Sequence, residues 1–172
     1  MIFVKKSIES EASIGWCPTH NSSKEHMLNK ILVPIDDSPL VRNMIKKLHT
    51  TIDLTGKSIF LTYISDPYPP TIYSESALSE YYISEDIHRK SCQEFAQKLF
   101  EKYEKLLDKA NSVVLVHTFS DDIPDGILKA AQKNKVDCIA MASHRYTGIN
   151  NVLLGDKVHK VIVSSKLPVL VL

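Results

Sequence analysis

The sequence predicts an α/β protein, a parallel sheet with helices on both faces. Three observations carry this. Short apolar runs of strand length alternate along the chain with segments of 3.6-residue periodicity. Several of those runs are continuous in Val, Ile and Leu, as strands buried on both faces are, instead of alternating with polar residues. Each run leads into turn or capping residues and then a helix, which is the order of the βαβ unit. Five such runs with intervening helices predict an open parallel sheet with right-handed crossovers.

Residues 1–26 stand apart. Ser, Glu, Lys, His and Asn dominate them, no periodicity is present, and Gly15 and Pro18 interrupt the stretch. A poorly ordered N-terminal extension is expected, with Met27 opening a complete domain over 27–172. Cys17 and His20, with His26 nearby, supply two or three metal-type side chains where a site needs three or four ligands, so they read as incidental.

The first strand is Lys30-Ile-Leu-Val-Pro-Ile-Asp36, apolar and ending in acid. Ser38-Pro39 starts a helix, serine as N-cap and proline in the first turn. Val41, Met44, Ile45, Leu48 and Ile52 then recur at helical spacing, and Gly56 ends the unit. Ser58 to Ile64 is the second strand. Pro67, Pro69 and Pro70 exclude a helix from the Tyr- and Ser-rich stretch that follows, which reads as a surface loop. A long helix comes next, with a stripe Ile83, Ile87, Phe95, Leu99, Tyr103, Leu106 and Ala110. Val113 to Thr118 is the third strand. Asp121 and Asp122 cap a helix that buries Ile127, Leu128, Ala130 and Ala131. Cys138 to Ala142 is the fourth strand, and a loop with Ser143, Thr147, Gly148, Asn150 and Asn151 leads to Gly155. The last helix carries Val158, Val161 and Ile162 on one face, and Pro168 precedes a final run, Val169 to Leu172, expected as an edge strand.

Composition bounds the function. A chain of 172 residues, 44% hydrophobic and 24% charged, fits one soluble domain with a full core. With 21 basic against 20 acidic residues and no Lys/Arg block, neither a nucleic-acid nor a membrane surface is predicted. No apolar run approaches the roughly 20 residues of a membrane span, and Lys5 and Lys6 are followed by no apolar signal core. Cys17, Cys92 and Cys138 are scattered and lack metal spacing, which suits a reducing compartment and leads us to expect a cytoplasmic protein.

Two stretches carry a resemblance. Ile31-Leu-Val-Pro-Ile-Asp-Asp-Ser38 and the segment from Met141 to Leu172 resemble the first and last parts of the universal stress protein family, and the likeness extends over 27–172. It implies a Rossmann-like sheet of strand order 3-2-1-4-5 and commonly a homodimer through the last strand. In ATP-binding members the nucleotide lies between the first strand tip and the loop after the fourth strand, over a motif G-x-x-G-x9-G-[Ser/Thr]. Carried over by position, Pro34, Ile35 and Asp36 face base and ribose, Tyr63 offers main-chain contacts, and Ala142, Ser143, His144, Arg145, Gly155 and Asp156 lie around the phosphates.

The motif is altered. Ala142 and Arg145 replace its first two glycines, Gly155 keeps the third, and Asp156 replaces the closing Ser/Thr. Glycines in such loops permit positive φ and close backbone approach. Arg145 adds bulk but also a phosphate-pairing guanidinium. Asp156 is expected to cap the last helix and to hold its carboxylate where a phosphate would sit; at about 4 Å that costs on the order of 4 kcal/mol near a protein surface.

The resulting expectation is a non-enzymatic stress-response module with a degenerate ATP or AMP site, acting through an unknown protein partner. The alternative is an ATP-binding switch or slow ATPase, needing Mg²⁺ only if ATP binds. No catalytic set and no metal site are predicted. Asp36-Asp37 resembles the acidic pair of phospho-acceptor receiver domains, but the lysine such domains place after the fifth strand is missing. No G-x-S-x-G elbow accompanies Ser143 and His144, and His117 and His159 read as packing or surface residues. The apolar final strand, bare at a sheet edge, itself argues for pairing with a second copy.

Overall fold

The computed structural model describes residues 28–67, 84–143 and 155–172, and the backbone of 2–4. Its elements are β1 (Ile2–Val4), β2 (Lys30–Pro34), α1 (Pro39–Thr51), β3 (Ser58–Ser65), α2 (Glu85–Glu104), β4 (Ser112–Phe119), α3 (Ile123–Asn134), β5 (Cys138–Met141), α4 (Asp156–Ser164) and β6 (Val169–Val171). They form one sheet of order β1-β6-β5-β2-β3-β4. Strands β2 to β6 are all parallel to one another, so the five-stranded, 3-2-1-4-5 arrangement expected from the sequence is present.

Alternation along the strands divides the core in two. Ile31, Val33, Ile59 and Leu61 face one side and meet Val41, Met44, Ile45 and Leu48 of α1 and Leu99, Phe100 and Tyr103 of α2. Leu32, Phe60, Ile139 and Val169 face the other and meet Ile127, Ala130 and Ala131 of α3 and Val158 and Val161 of α4. Successive side chains of a strand point to opposite faces, so a continuous apolar run is what a strand covered on both sides requires. Gly126 lets α3 come close: a Cβ there would lie 3.0 Å from Ile64 Cγ2 and from Ser120 Cβ. Asp137 ties the lower end of the sheet, its Oδ2 accepting from Asn29 N at 3.0 Å and Lys30 N at 2.9 Å.

Three expectations need correction. The stripe expected of α2 holds only in part: Leu99 and Tyr103 are buried, together with Ala96 and Phe100, while Ile87 is 57% and Phe95 43% exposed, and Ile83 lies outside the described residues. Only the second half of α2 lies on the core, so the i, i+4 spacing of Ile87 marks no buried face. Leu106 and Ala110 follow the helix end and pack against the core from the turn.

The second correction concerns the extension. Ile2–Val4 form β1, antiparallel to β6, with Ile2 opposite Val171, Phe3 opposite Leu170 and Val4 opposite Val169. Ile-Phe-Val is strongly β-prone, and an open ladder edge is a template for such a strand. The polar composition of residues 5–26 concealed it. Those residues, with Cys17, His20 and His26, lie outside the described ones, as do Tyr68, Tyr73, Tyr81 and Tyr82. The third follows from the second: β6 is not an edge strand, because β5 pairs one side and β1 the other.

Under the first half of α2, β3 and β4 bring a polar pair into the apolar layer. His117 Nε2 lies 2.8 Å from Ser65 Oγ, and its ring stacks on Tyr63 at 5.9 Å and tilts against Phe119 at 4.8 Å. Burial lowers the pKa of His117 below 6.5. The folded chain therefore binds fewer protons than the unfolded chain below that pH. The stability this neutral ring contributes is complete above 6.5 and is lost as pH falls through the lowered value. Urea midpoints measured near pH 7.5 and near pH 5.5 are expected to fall further for the unaltered chain than for His117→Gln; equal falls would contradict the assignment. Thr62 is fully buried, and among the described residues its Oγ1 has no hydrogen-bond partner. Thr62→Val removes that unmet group at nearly constant shape, and we expect urea unfolding to show a gain of about 1 kcal/mol.

Candidate functional site

Strand β2 is where the chain changes direction across the sheet. From it the path runs outward through β3 and β4, then returns to β5 and β6 on the other side. Open α/β sheets bind ligands in the crevice beyond such a switch point, at the carboxyl ends of the strands. Here the crevice has a visible cause. β2 pairs with β3 through Pro34 but with β5 only over Ile31 and Leu32, so β2 and β5 part company two residues before β2 ends. Proline at the strand end has no N–H to extend the ladder.

The loop after β2 is held from two sides. Ile35 N donates to Thr62 O at 2.8 Å, and Ser38 N donates to Asp36 Oδ1 at 2.8 Å, turning the chain into α1 at Pro39. From α2, Tyr103 Oη donates to Asp36 O at 2.9 Å, while Lys102 Nζ meets Asp37 Oδ1 at 2.6 Å. The bond to Asp37 raises the pKa of Lys102, and burial raises that of Tyr103. Sequence reading counted Tyr103 as one more member of an apolar stripe. The signal it missed is chemical: a fully buried tyrosine needs a partner for its hydroxyl, and this one takes the loop carbonyl.

On the adjacent strand, β5 ends at Met141 and is followed by Ala142 and Ser143, both half-buried. The only non-glycine residue with positive φ among those described is Lys135. Ala142 therefore has an ordinary backbone, and its replacement of a motif glycine imposes no strain there. Gly155 is the N-cap of α4, at φ −55° and ψ 147°. A Cβ added to it would meet no atom of the described residues within 4 Å. Asp156 is the first helical residue, so the expectation that it caps α4 is corrected: its carboxylate, 79% exposed, lies 3.5 Å from Lys160 Nζ one turn on. The first intrahelical bond runs from His159 N to Gly155 O, and among the described residues no side chain caps the helix.

Of the sequence-predicted residues, Pro34, Ile35 and Asp36 thus form one wall, and Ala142 and Ser143 lie at the end of the adjacent strand. Gly155 and Asp156 open the helix that follows. His144 and Arg145 lie outside the described residues. The Tyr63 side chain belongs elsewhere, its ring 5.6 Å from that of Phe95 under α2. A second hollow, of about 250 Å³, is lined by Pro67, Glu85, His88, Arg89 and Phe119. Its guanidinium is already engaged, 2.8 Å from Glu85 and 5.4 Å over the Phe119 ring. Among the described residues no group of three His, Cys, Asp or Glu side chains could hold a metal ion, and no helix is long and apolar enough to cross a membrane. Cys138 is buried in β5, which pushes its thiol up to about 11 and leaves it unreactive.

Comparison with known proteins gives the same picture. Universal stress protein MJ0531 of Methanocaldococcus jannaschii is 27% identical over 153 residues, covering 86% of this chain and 83% of its own. The crystal structure of hypothetical protein PH0823 superposes with a TM-score of 0.65 at 27% identity, over 85% of this chain and 96% of that one. Two more distant structures share the fold: a universal stress protein in complex with cAMP (TM-score 0.59, 13% identity, 84% of this chain and 96% of that one), and a universal stress protein family protein from Arabidopsis thaliana with AMP bound (TM-score 0.53, 12% identity, 84% and 90%). The sequence pattern of the universal stress protein family matches residues 27–172, and with the strand order and switch-point crevice above, the chain belongs to that family.

Proposed function

We propose that this protein is a non-enzymatic stress-response module whose crevice takes an adenine nucleotide of low charge, AMP in preference to ATP. The observation that carries the reading is Gly155. Among the described residues nothing comes within 4 Å of where its side chain would be, so their packing does not require a glycine. A bare main chain at an uncapped helix start suits a phosphate, which accepts from first-turn N–H groups and is favoured by the helix dipole. Ala142, with its ordinary backbone, does not obstruct the approach.

In this reading Pro34, Ile35 and Asp36 meet base and ribose, and Ser143, Gly155 and the first turn of α4 meet phosphate. AMP and cAMP in the fold relatives named above are consistent with it. Asp156 sets the preference between nucleotides. Its carboxylate shares the helix start with the phosphates, and Lys160 at 3.5 Å offsets only part of its charge. Each further phosphate charge meets more repulsion, which Mg²⁺ would relieve if ATP binds. A nucleotide-gated switch or slow ATPase is the competing reading, and strong ATP binding by the unaltered chain would favour it. The proposal includes a cytoplasmic setting, an unidentified protein partner, and self-association through β6.

Calorimetric titration with AMP and with ATP, each with and without Mg²⁺, tests the site. AMP is expected to bind more tightly than ATP to the unaltered chain. Because Asp156 is largely exposed, we expect Asp156→Ser to improve ATP affinity by about tenfold and AMP by less. Gly155→Val should weaken both. If neither nucleotide binds the unaltered chain or Asp156→Ser, the crevice is not a nucleotide site and the function lies in protein contacts.

A further inference from the structure

We propose that β1 is a displaceable strap on the sheet, which competes within its own chain for the edge that a second copy would use. The proposal rests on the self-association through β6 put forward above, and goes beyond it by assigning the N-terminal strand a role.

A strand has two ladder edges. One edge of β6 is taken by β5 and the other by β1, so a second chain reaches β6 only when β1 leaves. The two occupants match. On β6, β1 places Ile2, Phe3 and Val4 opposite Val171, Leu170 and Val169. A second β6, turned about a two-fold axis through Leu170, would place Val169, Leu170 and Val171 opposite the same three residues. Each apolar strand residue is replaced by another, and neither triplet carries a charge.

The strap is also built to be released. β1 pairs over only three residues, and backbone bonds contribute about 1 kcal/mol each after exchange with water. Because β1 is antiparallel to β6, Val4 lies at the Val169 end of the sheet, the end at which β2 begins. The tether therefore spans three strand spacings, about 14 Å. The stretch of sequence between Val4 and Lys30 is long enough, by contour length alone, to cover that span several times over. Such a tether holds β1 at an effective concentration on the order of millimolar, so at micromolar protein the strap outcompetes the β1 of any other chain. A second β6 arrives with the rest of a folded surface behind it and displaces the strap at a cost in affinity.

The test compares the unaltered full chain with Phe3→Pro/Val4→Pro by sedimentation equilibrium. Adjacent strand residues direct their N–H groups to opposite sides, so the double change strips a ladder donor whichever way β1 is turned. It lies at the terminus, away from the core. We expect the double variant to dimerise at least about tenfold more tightly, since the competing cis pairing is gone. Equal dissociation constants would overturn the strap, and weaker association of the variant would do so by placing β1 inside the dimer. If neither protein associates up to about 100 micromolar, the self-association reading itself fails, and the strap with it.

Discussion

The structure depends on the pairing of β2 with a neighbour on each side. Ile31, Leu32 and Val33 have no exposed surface, and between them they face both helical layers. Burying a side chain of this size is worth about 1.5–3 kcal/mol, and the three together fix the plane on which α1 and α2 lie above and α3 and α4 below. The same strand sets the site. Its ladder with β5 stops two residues short of its ladder with β3, so the element that joins the halves of the sheet also parts them at one end.

The two ends of that strand are held differently. At its lower end Asp137 binds the first backbone groups of β2, and at its upper end the chain exchanges ladder bonds for loop contacts from Tyr103 and Lys102. The loop that carries Asp36 is therefore held by α2. α4 follows on the far side of β5, and Gly155, its N-cap, offers no side chain to the first turn. The polar pair Ser65 and His117, by contrast, lies under α2, with Ser65 almost fully buried, and its spacing serves packing.

Most of the fold was legible in the sequence because parallel strands read as uninterrupted apolar runs, and five of them recur between helices. The strand order came from family resemblance and is confirmed by the sheet. What escaped has physical causes. β1 is three residues long in a polar segment, and pairing with β6 acts from the far end of the chain. The register of α2 was misjudged because Ile87 and Phe95 satisfy helical spacing while lying beyond the part of the helix that meets the core. At the site, the sequence identified which residues stand at the two strand tips. It could not show that Ala142 has an unstrained backbone, nor that Asp156 sits one position inside the cap and turns toward Lys160. Both depend on where a helix begins to within one residue, the least legible feature of any sequence.

The tie between Asp137 and the start of β2 spans 107 positions of the chain, and it has a consequence for how the protein is made. As the chain is synthesised, β2, α1, β3, α2 and β4 are complete while the edge of β2 that will take β5 still has no neighbour. Contacts so far apart in sequence form late, since the loop between them must close before they give anything back. For the time it takes to add the stretch from β4 to β5, a ribosome carries a half-sheet with an open edge, and that nascent half is where misassociation between chains would begin.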